Sequence, residues 1–178
     1  MSNRRVWPII RGDSGQSLHQ NTWVVFVSEI TLRDVRYKAM DLLARREHSV
    51  GELRRKLKQR DYEPALIEAT LEGLLADTLL NDAQFAKSYV RMRARRGYGP
   101  VRIRKELMER EVEGGIVEEP LSAFTEQWWG LAATVRHKRF GHAAPDDFQQ
   151  RAKQARFLQY RGFDHEHIMC ALDDTGME

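Results

Sequence analysis

Ser49-Val50-Gly51-Glu52-Leu53-Arg54-Arg55-Lys56-Leu57 is answered fifty residues later by Gly99-Pro100-Val101-Arg102-Ile103-Arg104-Lys105-Glu106-Leu107. Set side by side, Leu53 falls on Ile103, Arg54 on Arg104, Arg55 on Lys105 and Leu57 on Leu107. The register continues outward through Arg60 on Arg110, Glu63 on Glu113, Leu66 on Ile116, Ile67 on Val117 and Leu71 on Leu121. A shift of 101 produces a third copy, in which Leu57 meets Leu158, Arg60 meets Arg161, Tyr62 meets Phe163 and Leu71 meets Leu172. Self-similarity at this period marks tandem units, each too small to cover its own apolar face and each covered by its neighbour. The expected division is an N-terminal tail over 1–30 and repeats over 31–80, 81–130 and 131–178.

Each unit has room for three helices, and the local signals are helical. Ser49 with Glu52, and more weakly Thr31 with Asp34, fit a capping box. Asn81 suits the start of another helix, with Asp82 at its positive end. Tyr37, Met40, Leu43 and Ala44 recur at helical spacing, as do Ile67, Leu71 and Leu74, and then Phe85, Tyr89 and Met92. The short turns after Arg60 and Arg110 bend one helix sharply into the next, as in a helix-turn-helix. The predicted fold class is therefore all-α: three tandem three-helix, helix-turn-helix-like repeats. Pro8, Gly12, Ser14, Gly15 and Asn21 interrupt any period in the tail, whose β-prone run Trp23 to Val27 has no partner strand downstream.

Composition narrows the function. The 178 residues are 31% charged and 42% hydrophobic, a balance suited to a folded, water-soluble chain. No apolar run is long enough for a membrane span, no secretory signal opens the chain, and one cysteine makes no disulfide framework, so a cytoplasmic location is expected. Net charge is only +3, but it is unevenly placed. Arg91, Arg93, Arg95, Arg96, Arg102, Arg104, Lys105 and Arg110 stand against only Glu106 and Glu109, and are followed by Glu111, Glu113, Glu118 and Glu119. Such segregation marks a binding face as readily as it solvates helix surfaces. Tyr98, between Gly97 and Gly99 at the tip of this cluster, fits either a partner contact or packing of the turn.

Catalytic constellations are missing. No glycine-rich phosphate loop with its lysine occurs. His165 and His167, two apart, point to different sides of a helix and have no cysteines to complete a metal site. Cys170, among Ile168, Met169, Ala171 and Leu172, is expected as a buried small hydrophobe. At least one of Trp128 and Trp129 is expected to anchor a core where the second and third units meet, rather than to stack on bases. The expectation is a binding protein, not an enzyme, with no cofactor, metal or small-molecule substrate.

The stretches Phe85-Ala86-Lys87-Ser88-Tyr89-Val90, Arg96-Gly97-Tyr98-Gly99-Pro100, Arg102-Ile103, Glu106-Leu107, Arg156-Phe157-Leu158 and Arg161-Gly162-Phe163 resemble the RecX regulatory proteins. So do Ala39 to Arg45 and Ser49, Glu52 and Leu53, and the resemblance spans about residues 33 to 174. It implies an elongated, curved array of three-helix repeats. The array would bind the filament of the RecA recombinase in its helical groove and restrain extension, ATP hydrolysis, strand exchange and repressor cleavage. It also implies weaker, salt-dependent binding to single- or double-stranded DNA. Candidate contacts to filament or DNA are Arg91, Arg93, Arg95, Arg96, Tyr98, Arg102, Arg104 and Lys105. The alternatives are a helix-turn-helix regulator acting directly on DNA, which would need one dominant recognition helix and paired half-sites, and a repeat scaffold unrelated to recombination.

One position departs from the family, which usually has glycine where this chain has Glu111. In the repeat register Glu111 matches Asp61 and Gly162, at a turn that commonly needs positive φ. Glutamate tolerates that poorly. The helix before it is therefore expected to run past 111 and end at Gly114–Gly115, giving a longer, looser middle turn.

Overall fold

A computed structural model describes residues 30–174; the expectations for the tail over 1–30, including Trp23 to Val27, lie almost wholly outside them. Among the described residues the chain forms nine α-helices and no strand. They are α1 (Leu32–Arg45), α2 (Val50–Lys58), α3 (Pro64–Ala76), α4 (Asp82–Arg95), α5 (Pro100–Met108), α6 (Gly114–Ser122), α7 (Thr125–Phe140), α8 (Phe148–Arg161) and α9 (His165–Asp173). Helix-on-helix packing groups them in threes, α1–α3, α4–α6 and α7–α9.

The starts follow the expected chemistry. The Asp34 carboxylate takes both the backbone N–H and the hydroxyl of Thr31 at the head of α1. Ser49 accepts from the Glu52 N–H at 3.0 Å, and Asn81 from the Gln84 N–H at 3.0 Å. Glu52 does not complete its capping box; its carboxylate reaches Arg46 at 2.9 Å and, across the unit boundary, Arg110 at 3.1 Å.

Each triplet has a core. In the first, Val35, Ala39, Leu53, Leu57, Ile67, Leu71 and Leu74 are buried together; in the second, Phe85, Val90, Ile103, Leu107, Val117 and Leu121; in the third, Ala132, Leu158, Phe163, Ile168 and Leu172. Leu57, Leu107 and Leu158, equivalent in the repeat, are each 0% exposed. The inward stripe of α1 is Val35, Ala39 and Leu42, whereas Tyr37 and Met40 face outward, opposite to the stripe read from the sequence. Cys170 is also exposed, contrary to expectation, because the buried faces of α9 at Ile168, Ala171 and Leu172 leave position 170 on the outer side.

α4 and α5 keep the fifty-residue offset from α1 and α2 at both ends, but the third triplet departs from it. α7 starts at Thr125, so the division expected between 130 and 131 falls inside this helix. The early start is fixed by Trp128, which lies in the second core and donates its indole N–H to the Leu121 carbonyl at 3.3 Å. Trp129, one residue on, turns to the third unit and meets the His167 ring edge-on.

The expectation for Glu111 is overturned. α5 stops at Met108, Glu111 adopts φ 60°, and Gly114 and Gly115 form the first turn of α6. Asp61 at φ 58° and Gly162 at φ 88° hold the same conformation. The Glu111 N–H bonds the Met108 carbonyl at 2.9 Å and the Val112 N–H bonds Leu107 at 3.2 Å; Gly162 and Phe163 do the same toward Gln159 and Leu158. This is a Schellman ending, with buried Val112 and Phe163 as its apolar contacts. The middle turn is therefore no looser than its siblings.

These turns join the units. The start of α2 packs on the turn of the second unit: the Ser49 hydroxyl donates to the Arg110 carbonyl at 2.7 Å. The start of α5 packs on the equivalent turn of the third unit: the Gly99 N–H donates to the Arg161 carbonyl at 2.9 Å and the Val101 N–H to Gly162 at 3.0 Å. A Cβ on Gly51 would overlap that of Glu111 and lie 2.8 Å from the Arg110 carbonyl oxygen. A Cβ on Gly162 would overlap that of Arg102 and lie 2.6 Å from its backbone nitrogen. The glycine sits on the helix in the first junction; in the second, glycine stands on both sides, since a Cβ on Gly99 at the head of α5 would overlap the Gly162 carbonyl oxygen. Glu111 is thus accommodated by Gly51, and its carboxylate lies 3.8 Å from Arg54 and 3.6 Å from Arg55 of the first unit.

Two stability predictions follow from this geometry, both read by urea unfolding. Glu111→Gly should gain roughly 0.5–1 kcal/mol, because a non-glycine residue at positive φ costs about 1–2 kcal/mol and its exposed ion pairs return little. A loss instead would show that the turn is unstrained. Gly51→Ala should cost about 1–3 kcal/mol through overpacking, and combining it with Glu111→Gly should restore part of that loss. Strict additivity of the two would mean that the residues do not share the junction.

Candidate partner-binding surface

The eight candidate contact residues, seven cations and Tyr98, divide into two groups with different commitments. The first is knotted around Glu106. Arg93, whose side chain is 12% exposed, pairs with Glu106, and Arg102 reaches the same carboxylate at 3.0 Å. The Tyr89 hydroxyl donates to it at 2.8 Å. Tyr98 lies half-buried above this pair, its ring centroid 3.8 Å from the Arg93 guanidinium and 4.6 Å from that of Arg102. Arg104 belongs with this group in kind, holding Glu118 through two hydrogen bonds of 2.6 and 2.9 Å. These contacts tie α4 to α5 and α5 to α6. For Tyr98 the structure favours turn packing.

Electrostatics agree. Burial alone would raise the Glu106 carboxyl, but hydrogen bonds from Arg93, Arg102 and Tyr89 outweigh it and hold Glu106 below its ordinary value. Burial, reinforced by the bond to Glu106, pushes the Tyr89 phenol up to about 12.

The second group is uncommitted. Arg91, Arg95 and Arg96, from the last turns of α4, border one shallow depression with Ser88 and Met92. Lys105 stands apart on α5. All four are exposed, and among the described residues none has a carboxylate partner. Arg93 and Arg95 complement the negative end of the α4 dipole, a modest structural benefit. That benefit does not explain four unpaired cations.

The charge reading missed Arg161. It arrives from the third unit, donates to the Arg96 carbonyl at 3.3 Å and lies 5.2 Å from the Tyr98 ring. Its repeat equivalents, Arg60 and Arg110, bond carbonyls one turn back in their own units, so the sequence marks it only as a turn residue.

Among the described residues no cluster of His, Cys, Asp and Glu is arranged to hold a metal ion, and no helix is long and apolar enough to cross a membrane.

Three consecutive stretches of the chain, 36–74, 81–121 and 125–172, match the first, second and third three-helix domains of RecX. The chain belongs to the RecX family. Among its curated relatives, the regulatory protein RecX of Pseudomonas tolaasii is 48% identical over 149 residues, covering 83% of this chain and 96% of the relative. That of Pseudomonas fluorescens Pf-5 is 43% identical over 148 residues, with the same shares covered. The crystal structure of RecX from Lactobacillus salivarius superposes with a TM-score of 0.69 at 23% identity, covering 80% of this chain and 96% of that one, and so attests the shared fold. Family membership assigns this chain a regulatory role.

A pH prediction comes from Glu106. A carboxyl held below its unfolded value adds stability that is full at neutral pH and is lost as pH falls from about 4.5 through the lowered folded value. Glu106→Gln should lower stability at pH 7 by about 1–3 kcal/mol and flatten the acid limb of a stability-versus-pH curve. An unchanged acid limb would remove Glu106 from the acid response.

Proposed function

We propose that this protein regulates the RecA recombinase by lying in the helical groove of its filament. From there it restrains filament extension, ATP hydrolysis, strand exchange and repressor cleavage, without catalysis, cofactor or small-molecule substrate of its own. The observation that carries the reading is the set of exposed, unpaired cations Arg91, Arg95, Arg96 and Lys105 on the middle unit of a RecX-family chain. Three units in a row, joined by like junctions, can touch several filament subunits at once. Linked weak contacts then gain effective concentration, and bridging subunits hinders their rearrangement. The same cations give a weaker, salt-dependent attraction to DNA.

A direct helix-turn-helix reading of DNA is disfavoured. The helix after the middle turn, α6, begins Gly114-Gly115, carries Glu118 and Glu119, and has no Lys or Arg. A recognition helix entering the major groove needs the opposite charge.

The test is filament ATPase on single-stranded DNA, measured with the regulator well below one copy per recombinase subunit. Arg91→Glu/Arg95→Glu/Lys105→Glu should raise the inhibitory concentration at least about tenfold, the equivalent of ~1.4 kcal/mol, with an unchanged melting temperature. A folded triple variant that inhibits at wild-type concentrations would refute the middle unit as the main contact. Arg93 and Arg104 are unsuitable for this test because their loss would loosen the fold.

A further inference from the structure

The third unit carries a second cationic surface that the middle-unit cluster does not include. α8 reads Phe148-Gln149-Gln150-Arg151-Ala152-Lys153-Gln154-Ala155-Arg156-Phe157-Leu158-Gln159-Tyr160-Arg161: four cations and no carboxylate. It has 14 residues against 9 in α2 and in α5, having grown at both ends relative to its repeat equivalents. The added N-terminal turn is not used for packing, since Phe148 is 83% exposed and Gln149 and Gln150 are exposed as well.

Helical spacing puts Gln149, Lys153, Arg156 and Tyr160 in one stripe, and all four are exposed. Tyr160 is 80% exposed and makes no ring or cation contact among the described residues. Lys153 and Arg156 have no carboxylate partner there either; the one ion pair of α8 joins Arg151 to Asp173, and Arg156 only returns to the Ala152 carbonyl of its own helix. A shallow depression lies beside the stripe, bordered by Phe148, Gln149, Ala152, Lys153 and Arg156. A helix whose added N-terminal turn gains no packing, bearing unpaired cations between two solvated aromatic rings, is a surface shaped for a ligand that supplies phosphates and stackable rings together.

We infer that the outer face of α8 is a track for single-stranded nucleic acid. Lys153 and Arg156 meet successive phosphates, and Tyr160, with Phe148 at the other end, stacks on unpaired bases. A duplex hides its bases and offers such rings nothing to stack on, so the exposed aromatics select the single strand. At its C-terminal end the track touches the middle unit, where Arg102 donates to the Tyr160 carbonyl at 3.1 Å. The track does not depend on the filament reading.

Fluorescence anisotropy with the full chain, a labelled oligo-dT and a hairpin duplex of equal charge tests it. Lys153→Gln/Arg156→Gln should weaken oligo-dT binding about tenfold or more. It should also reduce the slope of log affinity against log salt by about 1.4, the share of two single-strand phosphates. Tyr160→Ala should weaken oligo-dT binding at least about fivefold at unchanged slope, Tyr160→Phe should restore it, and duplex binding should move little in either. Circular dichroism melts should match wild type, since none of these side chains is packed. Wild-type oligo-dT affinity in both the double variant and Tyr160→Ala would overturn the proposal. So would equal losses on duplex and single strand, which would make α8 a nonspecific cationic face. Filament inhibition is scored separately with the Arg91/Arg95/Lys105 variant, so the two readings fail independently.

Discussion

The whole array depends on one close approach: the N-terminus of a unit's middle helix set against the positive-φ turn of the next unit. At both junctions the turn carbonyl, Arg110 in one and Arg161 in the other, accepts a hydrogen bond from the head of the preceding unit's helix. Backbones this close leave no room for a Cβ on both sides, so one side must be glycine. Gly51 supplies it at the first junction, and Gly99 and Gly162 both do at the second. A left-handed turn presents its carbonyl and amide outward instead of continuing the helix, and Asp61, Glu111 and Gly162 share that conformation despite different side chains. Units related by the same contact stand in a regular row.

The second and third units have a further bond that the first two lack. Trp128 belongs by sequence to α7 but by burial to the second core, and Trp129 beside it faces the third. Adjacent helical residues point about 100° apart, so a tryptophan pair at a boundary can serve two cores at once. Glu52 makes the corresponding tie between the first two units, giving up its own helix cap to pair with Arg110.

The basic residues of the middle unit and of α8 are told apart by whether a carboxylate of the same chain meets them. Arg93, Arg102 and Arg104 are neutralised by glutamates and brace neighbouring helices. Arg91, Arg95, Arg96, Lys105, Lys153 and Arg156 are exposed and unneutralised among the described residues. A cation left without a partner on a folded surface retains its full attraction for an external anion.

The sequence by itself determined the repeat, the all-helical class, the equivalence of Leu57, Leu107 and Leu158, and the caps at Thr31, Ser49 and Asn81. Each is a matter of period or of residues three apart, and local backbone physics suffices. Tertiary structure alone decided the rest. Tyr37 and Met40 have helical spacing but face outward, because periodicity gives a stripe without saying which stripe meets a neighbour. Cys170 is exposed for the same reason. The positive φ of Glu111 is not legible locally, because its turn is accommodated by Gly51, sixty residues away in the chain and in contact only once two units have packed. Whether an arginine binds a partner or a glutamate of its own chain also depends on where distant carboxylates lie. Composition counts those groups, but only the fold brings them within reach.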